Sequence, residues 1–305
     1  MKRRSFISHT AVGAAGLASF SGSADFLSSS AYIEMKEPVK SSGKSPLRIA
    51  VVQQNGNHGQ VEENRKKALS FAEQALEQNP DVILFHEELL IGYDKNMKDL
   101  AENVNGTTTQ AFKKLLKGTG SVVIYGLTEK DGKDFFISSP VVSEDGVIAN
   151  YHKTHLWWNA EGLRHEPAFY RPGDKLVTFD VKGNLCGVMI CYDGDFPEMT
   201  RSYANMGCSI LFWMNNRGSR GHSEVKGLAG NNSMIMPVSC CCGVDEEGNI
   251  CRGGSNITGP KGELIAELWD KEGIIISDVY PDQVEKIRKD NPWFNGLRPE
   301  VYFYK

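Results

Sequence analysis

The stretch VMICYDGDFPE, residues 188–198, contains the change from an apolar run to a polar turn with a proline. Residues 188–190 have the apolar character of a buried parallel strand, and Pro197 followed by Glu198 suits the first turn of a helix. Cys191 therefore lies where a strand ends and a helix is about to begin. At such a junction a side chain can face a cleft while backbone N–H groups point at what it attacks, and the same geometry favours thiolate over thiol. Cys191 is thus a candidate nucleophile as well as a candidate core residue.

From residue 47 onward, short apolar runs typical of strands alternate with segments in which apolar residues recur at helical spacing. The predicted strands cover residues 47–54, 81–85, 121–130, 136–142, 146–153, 184–191, 209–215, 236–245, 253–268 and 273–280, and the predicted helices cover 61–78, 111–118, 196–206 and 223–235. Asp145 and Gly146 suit the turn of a hairpin. Many strands with fewer helices predict one α/β domain over residues 47–285, with sheets covered by helices on their outer faces, and a tail over 286–305.

The composition is that of an ordinary globular protein. The chain has 305 residues, 40% hydrophobic and 24% charged, with a net charge of -4 and no long basic stripe. This pattern gives no electrostatic footprint for nucleic acid and favours a small molecule as the partner.

The first residues differ from the rest and predict an export signal over residues 1–24. Arg3 and Arg4, followed by a weakly apolar stretch, resemble a bacterial twin-arginine leader, although Lys2 replaces the usual Ser or Thr. A general secretory signal or a frayed cytoplasmic tail is the alternative. Residues 25–46 then suit a linker, and no other segment is apolar enough to span a membrane. We expect an exported, periplasmic protein that does not stay in the membrane.

Seven cysteines in a chain of this length do not make a disulfide scaffold. Cys240, Cys241, Cys242 and Cys251 raise the question of a metal site. Strand alternation predicts that Cys240 and Cys242 face one side and Cys241 the other, and no paired CxxC spacing exists, so packing is the better explanation. We expect few or no disulfides, and neither a metal nor a cofactor.

A nucleophilic thiol needs a base and groups that stabilise the anion that develops on the substrate. Glu87 follows the predicted strand 81–85 and can face the same cleft as Cys191, although Glu87 and Glu88 could instead open a helix or loop. Lys153 closes the predicted strand 146–153, but an isolated lysine is normally a solvated surface charge.

Taken together and in order, FHEELLIGY, YHKTHL and GVMICYDGDFPE resemble the Glu, Lys and Cys motifs of the carbon-nitrogen hydrolase (nitrilase) superfamily. The resemblance extends from about residue 47 to residue 280 and includes the late Gly253-Gly254-Ser255 strand. It implies a four-layer α-β-β-α sandwich, a Glu-Lys-Cys triad at one end, and a homo-oligomer.

The same resemblance implies a role for each motif residue. Glu87 is the general base, Lys153 the electrophilic partner and Cys191 the nucleophile, while the Tyr192 backbone N–H stabilises the anion. A second glutamate before Pro172-Gly173 holds the lysine or orients water; Glu166 fits this role better than Glu161. The implied reaction is hydrolysis of a small linear amide or N-carbamoyl compound through a thioester.

Three local differences from the family pattern accompany this resemblance. His86 stands where proline usually precedes the glutamate, and Glu88 stands where an apolar residue usually follows it. Strand alternation predicts that Glu87 and Glu88 point to opposite faces. The segment LAGNNSMIMPV, which contains Asn231 and Asn232, stands where the family more often has an Arg-Ala helix that ends in Asn.

Several residues near the motifs suit a substrate pocket or, equally, core and loop positions. They are Trp157, Trp158, Tyr192, Trp213, Asn215, Asn216 and Arg217. Arg217 could receive a substrate carboxylate, whereas Asp193 and Asp195 favour an amine or a neutral amide.

Other functions remain open. His152 or His155 would be the base of a Cys-His hydrolase, a nitrilase would use the same triad on a nitrile, and a binding protein could keep the fold without catalysis. The sequence CYDGDFPE is more like the amidase and carbamoylase branches than the nitrilases, whose cysteine is commonly followed by Trp-Glu.

Overall fold

Two seven-stranded sheets form the centre of the protein in a computed structural model that describes residues 45–216, 221–245, 248, 250–291, 296–298, 300 and 301. The strands are β1 (Leu47–Gln53), β2 (Val82–Leu84), β3 (Val122–Ile124), β4 (Leu127–Asp131), β5 (Asp134–Ser143), β6 (Gly146–His152), β7 (Thr178–Val181), β8 (Asn184–Ile190), β9 (Ile210–Asn215), β10 (Met236–Cys240), β11 (Cys242–Val244), β12 (Ile250–Thr258), β13 (Leu264–Trp269) and β14 (Gly273–Val279). The helices are α1 (Val61–Leu76), α2 (Met97–Leu100), α3 (Thr107–Leu115), α4 (Pro197–Asn205), α5 (His222–Asn232) and α6 (Pro281–Asp290).

Each sheet has a parallel centre with antiparallel strands at its margins. The first sheet has the order β14-β1-β2-β3-β5-β4, with β6 paired to β5, and β1, β2 and β3 run parallel. The second has the order β11-β12-β10-β9-β8-β7, with β13 paired to β12, and β8, β9 and β10 run parallel. Side chains that follow parallel neighbours therefore collect at one edge of each sheet.

The two sheets pack face to face and are covered by helices on their outer sides. Ser239 Oγ of β10 donates to the Val52 carbonyl of β1 at 2.6 Å, and Ser139 Oγ of β5 donates to Met214 Sδ of β9 at 3.0 Å. Helices α1 and α3 pack on the first sheet and α5 on the second, with α4 beside α5. This is the predicted four-layer α-β-β-α sandwich, and its core is the buried apolar surface between the layers.

The predicted strand 121–130 is two strands in the structure, β3 and β4. The break falls at Gly126, whose N–H donates to the His86 carbonyl at 3.1 Å. A Cβ at this position would lie 2.4 Å from the backbone nitrogen of Glu88, so only glycine allows the chain to pass so close. The break thus packs the end of β3 against the segment that carries Glu87.

The predicted strands 236–245 and 253–268 are also each divided, into β10 and β11 and into β12 and β13. Helix α3 begins at Thr107 instead of residue 111, and three elements, α2, β7 and α6, were not predicted. None of the helices in the described part of the chain is both long and apolar enough to cross a bilayer.

Candidate functional site

Glu87 lies just beyond the end of β2, with its side chain fully buried between the sheets. Its Oε2 accepts a hydrogen bond from the backbone N–H of Asn216, which follows β9 of the second sheet, at 2.8 Å. Its Oε1 accepts from Lys153 Nζ, also at 2.8 Å. Both carboxylate oxygens are therefore held, one by each sheet, which fixes the orientation of the group.

Lys153 follows β6 and is as completely buried as Glu87. Its Nζ donates to Glu87 Oε1 and to Glu166 Oε1, each at 2.8 Å. Burial alone would lower the pKa of Lys153, but the charges of Glu87, Glu166 and Cys191 outweigh that effect and raise it well above its ordinary value. The lysine is therefore an ammonium at neutral pH.

Glu166 is the second carboxylate of this buried cluster. Besides the bond from Lys153, its Oε1 accepts from the Tyr93 hydroxyl at 2.9 Å and its Oε2 accepts from the Trp157 backbone N–H at 2.6 Å. Burial raises the pKa of Glu166, and the Lys153 ammonium opposes that rise. The competing glutamate, Glu161, lies exposed. The structure thus brings Glu166 to Lys153 and leaves Glu161 at the surface.

Cys191 comes directly after β8, at the start of a 3-10 turn over Cys191–Asp195. Its φ of +47° is in the left-handed region, which is uncommon for a residue with a side chain and turns the thiol away from the strand direction. Trp213 Nε1 donates to the Cys191 carbonyl at 3.1 Å. A thiolate at Cys191 would raise the pKa of both Lys153 and Tyr93, because its sulfur lies near the Glu-Lys cluster. The three motif residues therefore meet at one place.

Asp193 holds the turn that carries Cys191. Its Oδ2 accepts from the Ile190 N–H at 3.0 Å and from the Tyr151 hydroxyl at 2.7 Å. Its Oδ1 accepts from Thr154 Oγ1 and from the His155 N–H, both at 3.0 Å. A fully buried carboxylate with four such donors positions the backbone and is not available to bind a substrate amine. The sequence showed that Asp193 carries a charge but did not predict this role, because three of its four partners lie about 40 residues away along the chain.

The two candidate histidine bases lie beside other carboxylates. His155 Nδ1 is 2.9 Å from Asp193 Oδ1, and its ring stacks on Phe196 at 3.9 Å between centroids. His152 Nε2 is 2.9 Å from Glu129 Oε2. These contacts hold each ring against a carboxylate.

The predicted pocket residues occupy different environments. The Tyr192 ring packs edge-on against Trp157 at 4.8 Å between centroids, while Trp158 is exposed. Asn215 is fully buried, and both polar atoms of its amide have no hydrogen-bond partner within the described part of the chain. Asn215 shares a strand face with Trp213, whose Nε1 donates to the Cys191 carbonyl. Arg217 lies outside the described residues.

A narrow cleft of about 20 Å³, enough for about one water molecule, lies beside the cluster. It is lined by Gly56, His58, His86, Glu88, Gly92, Asn216, Cys241, Cys242, Val244, Asp245 and Cys251. Asn216 connects the two places, because its backbone N–H donates to Glu87 Oε2 and its side chain forms part of the cleft wall. Asn231 and Asn232 do not line this cleft; the Asn232 amide is buried and donates to the Leu228 carbonyl at 2.8 Å.

The carboxyl groups of Glu87 and Glu88 point in different directions, as predicted from strand alternation. The cause, however, is not strand alternation. Glu88 lies beyond β2 and has a φ of +53°, so a left-handed turn separates the two carboxyls. The Thr128 hydroxyl donates to Glu88 Oε2. Burial raises the pKa of Glu88 to about 8, and the charges of Glu87 and Glu166 add to that effect. Glu88 is therefore an uncharged carboxylic acid at neutral pH.

The prediction that the consecutive cysteines face opposite sides is wrong for Cys241 and Cys242, which line one cleft together with Cys251. The strand breaks at Cys241, because the Cys242 N–H pairs with the Gln54 carbonyl of the first sheet at 3.3 Å instead of continuing β10. All seven cysteines are buried, and none of them forms a disulfide. Within the described residues no group of His, Cys, Asp or Glu side chains has an arrangement that could hold a metal ion.

The chain also resembles known proteins in sequence and in structure. Residues 48–289 match the family described as carbon-nitrogen hydrolase. The chain is 26% identical over 258 residues to an (R)-stereoselective amidase of a Pseudomonas species, covering 83% of this chain and 92% of that protein. It is 27% identical over 266 residues to a nitrilase of Pyrococcus abyssi, covering 84% and 99%. A solved structure from Xanthomonas campestris, titled as a CN-hydrolase superfamily protein, has the same fold with a TM-score of 0.76, 17% identity, and coverage of 86% of this chain and 100% of that one.

Proposed function

Because the chain belongs to the carbon-nitrogen hydrolase family, we propose that it hydrolyses a small linear amide or N-carbamoyl compound through a thioester on Cys191. The observation that carries this proposal is the pair of 2.8 Å bonds that hold the buried Lys153 ammonium between Glu87 and Glu166, beside the thiol. A buried charge is costly unless it is paired, and an arrangement of this kind is typical of a site that uses the charge.

In the first half of the proposed reaction, Glu87 accepts the proton of the Cys191 thiol and the sulfur adds to the carbonyl carbon of the substrate. The carbonyl oxygen becomes an anion, which the Lys153 ammonium and the Tyr192 backbone N–H stabilise. The C–N bond then breaks as Glu87 returns the proton to the nitrogen. Ammonia or an amine leaves, and the acyl group stays on sulfur.

In the second half, Glu87 takes a proton from water, and the resulting hydroxide equivalent adds to the thioester carbon. The C–S bond breaks, the acid is released, and the proton returns to the Cys191 sulfur. Glu166 keeps Lys153 in place through both halves, because its two oxygens are themselves held by Tyr93, Trp157 and the lysine. Asn215, whose buried amide has unused donors and an acceptor, is a candidate for binding the substrate beside the nucleophile.

The preference for amides over nitriles rests on the turn after the nucleophile. Tyr192 and Asp193 follow Cys191, where nitrilases commonly have Trp-Glu, and Asp193 is fully used in holding the backbone. The relatives include one named an amidase and one named a nitrilase, so the family alone leaves both open. A nitrile would give a thioimidate on the same sulfur before losing ammonia, and this is the second candidate reaction.

The test is release of ammonia, or of the amine, from a panel of short amides, N-carbamoyl amines, N-carbamoyl amino acids and nitriles. We expect turnover of amides or carbamoyl compounds by the wild-type enzyme and none by Cys191→Ala. Turnover of nitriles alone would replace the proposal with the nitrilase reaction. A protein that binds members of the panel without turnover would be a binding protein of the same fold.

We further propose that the protein is exported by the twin-arginine route and forms a homo-oligomer. The basic, small-residue leader supports the first proposal, and the family resemblance supports the second. Fractionation of the native host and light scattering of the purified chain test the two proposals separately.

A further inference from the structure

His86 and Glu88, on either side of the proposed general base in the chain, both line the narrow cleft and are both buried. His86 Nε2 and Glu88 Oε1 have no hydrogen-bond partner within the described residues. Buried polar atoms are normally paired. Two such atoms on residues that line one cleft therefore indicate that a small polar ligand bonds to both.

The hydrogen bond between His86 and Glu87 fixes which nitrogen of His86 carries the proton. Nδ1 lies 2.8 Å from the Glu87 carbonyl oxygen, which can only accept, so Nδ1 carries the hydrogen and donates it. Burial lowers the pKa of His86 to about 4, so the ring is neutral in the physiological range. A neutral ring protonated at Nδ1 has a lone pair at Nε2. The group that His86 offers to a ligand is therefore a hydrogen-bond acceptor.

Glu88 offers the opposite kind of group. Its Oε2 accepts a hydrogen bond from the Thr128 hydroxyl. Burial raises the pKa of Glu88 to about 8, so the carboxyl keeps its proton at neutral pH. A protonated carboxyl has one O–H group, and because Oε2 accepts, the hydrogen is on Oε1. The group that Glu88 offers to a ligand is therefore a hydrogen-bond donor.

The size of the cleft selects the ligand. A volume of about 20 Å³ is enough for about one water molecule and for nothing much larger. Water can accept a hydrogen bond from Glu88 and donate one to His86, and buried water typically bonds to two to four polar groups. Asn216 adds a polar side chain to the same wall. One water therefore matches the cleft both in volume and in hydrogen-bonding groups.

We propose that the cleft binds one ordered water, which accepts from Glu88 Oε1 and donates to His86 Nε2, and that Glu88 is through this water a positioning residue for Glu87. This inference rests on the proposed function, in which Glu87 is the base. His86 Nδ1 in turn donates to the Glu87 carbonyl, so a continuous chain of hydrogen bonds runs from the Glu88 carboxyl to the backbone of the base. Glu88 can donate into this chain only while it keeps its proton.

Loss of the Glu88 proton changes the charge of the site as well as the chain of hydrogen bonds. The Lys153 ammonium is already shared between the carboxylates of Glu87 and Glu166. Glu88 itself faces carboxylates and neutral groups, which are those of Glu87, Glu166, His86, Thr128, Tyr93 and Tyr170. A further negative charge here opposes both the Cys191 thiolate and the anion formed from the substrate. We therefore expect the enzyme to be active only with Glu88 protonated.

A high-resolution crystal structure of the purified protein tests the water directly. We expect density for one water at about 2.6–3.2 Å from both Glu88 Oε1 and His86 Nε2. A cleft without this density, or a water that contacts only one of the two atoms, overturns the inference. This test needs no substrate, so its outcome does not depend on the proposed function.

The pH dependence of kcat/KM tests the positioning role of Glu88. We expect kcat/KM of the wild-type enzyme to fall by about tenfold from about pH 7 to about pH 9, because only the protonated form is active. In Glu88→Gln the amide keeps a donor for the water and an acceptor for Thr128 but does not titrate. We expect its kcat/KM to fall by less than about twofold over the same range. Glu63→Gln, at an exposed position of α1, should keep the wild-type fall.

Unfolding at high pH is distinguished from this titration by circular dichroism of each protein and by recovery of the rate on return to pH 7. An equal fall in the wild-type enzyme and Glu88→Gln, or no fall in the wild-type enzyme, overturns the positioning role. Failure of the proposed function is distinct, because then no member of the amide panel is hydrolysed at any pH.

Discussion

Lys153 is the residue on which the site depends most. Its ammonium and the two carboxylates it contacts are all fully buried, and such a cluster is stable only while every charge is paired. Removing the lysine leaves Glu87 and Glu166 as unpaired buried carboxylates that repel each other. The same removal takes away the proposed stabilisation of the anion formed from the substrate.

We therefore expect Lys153→Met to lower kcat by at least about 100-fold, the usual effect of losing one group that stabilises such an anion. His155→Ala is the comparison, because a Cys-His hydrolase would need that ring as its base. We expect a much smaller loss in His155→Ala, measured with the same amide by ammonia release. Loss of activity in His155→Ala with retention in Lys153→Met would favour the Cys-His alternative.

Glu88 gives a prediction about stability and pH. Its ordinary pKa is 4.5, and burial raises the pKa in the folded protein to about 8, with Glu87, Glu166, Thr128 and Tyr170 around it. Between these values the unfolded chain loses its proton first, so folding becomes less favourable as pH rises through that window. Below the window both states hold the proton, and above it the full penalty is present.

Glu88→Gln removes this titration, so we expect the variant to gain stability relative to the wild-type protein between about pH 5 and about pH 9, by roughly 2–5 kcal/mol. Urea unfolding at the two pH values measures the change. Glu63→Gln, at an exposed position of α1, reports the general effect of removing one carboxylate. A stability difference for Glu88→Gln that is equal at both pH values would contradict the prediction.

At the scale of elements, the 3-10 turn over Cys191–Asp195 is fixed by its packing on β9. A Cβ at Gly194 would lie 2.1 Å from Cζ2 of Trp213, the ring that also donates to the Cys191 carbonyl. Glycine at 194 thus lets the turn lie flat on the tryptophan. Any larger residue must displace the turn, the ring, or both.

Gly194→Ala is expected to destabilise the protein by about 1–3 kcal/mol, as overpacking does, and to lower kcat because Cys191 moves with the turn. Gly227 in α5 is the matched control, since a Cβ there meets nothing within 4 Å. Gly227→Ala should stabilise the helix by about 0.5–1 kcal/mol and leave kcat unchanged. Thermal unfolding and ammonia release measure both effects, and equal behaviour of the two variants would contradict this view of the turn.

The elements that sequence predicted well are those with local causes. Pro197 marks the start of α4, because its fixed φ suits the first turn of a helix. The β5–β6 hairpin was predicted, but its turn residues are Glu144 and Asp145, and Gly146, with a φ of +122°, pairs with Ser143 as the first residue of β6. The break between β10 and β11 could not be predicted, since it depends on Cys242 pairing with Gln54, far away in the chain. The alternation of side chains along a strand predicts which face each residue occupies only while the strand pairs with the same neighbouring strand.

At the scale of the whole molecule, the site exists because two sheets meet. Glu87 and Lys153 follow strands of the first sheet, whereas Cys191 and Asn216 follow strands of the second. The order of the three motifs predicted that these residues serve one site, and the structure brings them together with Glu166. The role of Asp193 in supporting this site could not be predicted, because it depends on contacts that only the folded chain makes.

The central claim is that Cys191 carries the acyl group during turnover, and mass spectrometry of acid-quenched enzyme tests it most directly. Wild-type protein and Cys191→Ala are mixed with a substrate amide, quenched during steady turnover, and mapped by peptide. We expect a mass increase equal to the acyl group on the peptide that contains Cys191, and no increase and no turnover in Cys191→Ala. An acyl group on another residue, or continued turnover in Cys191→Ala, would contradict it.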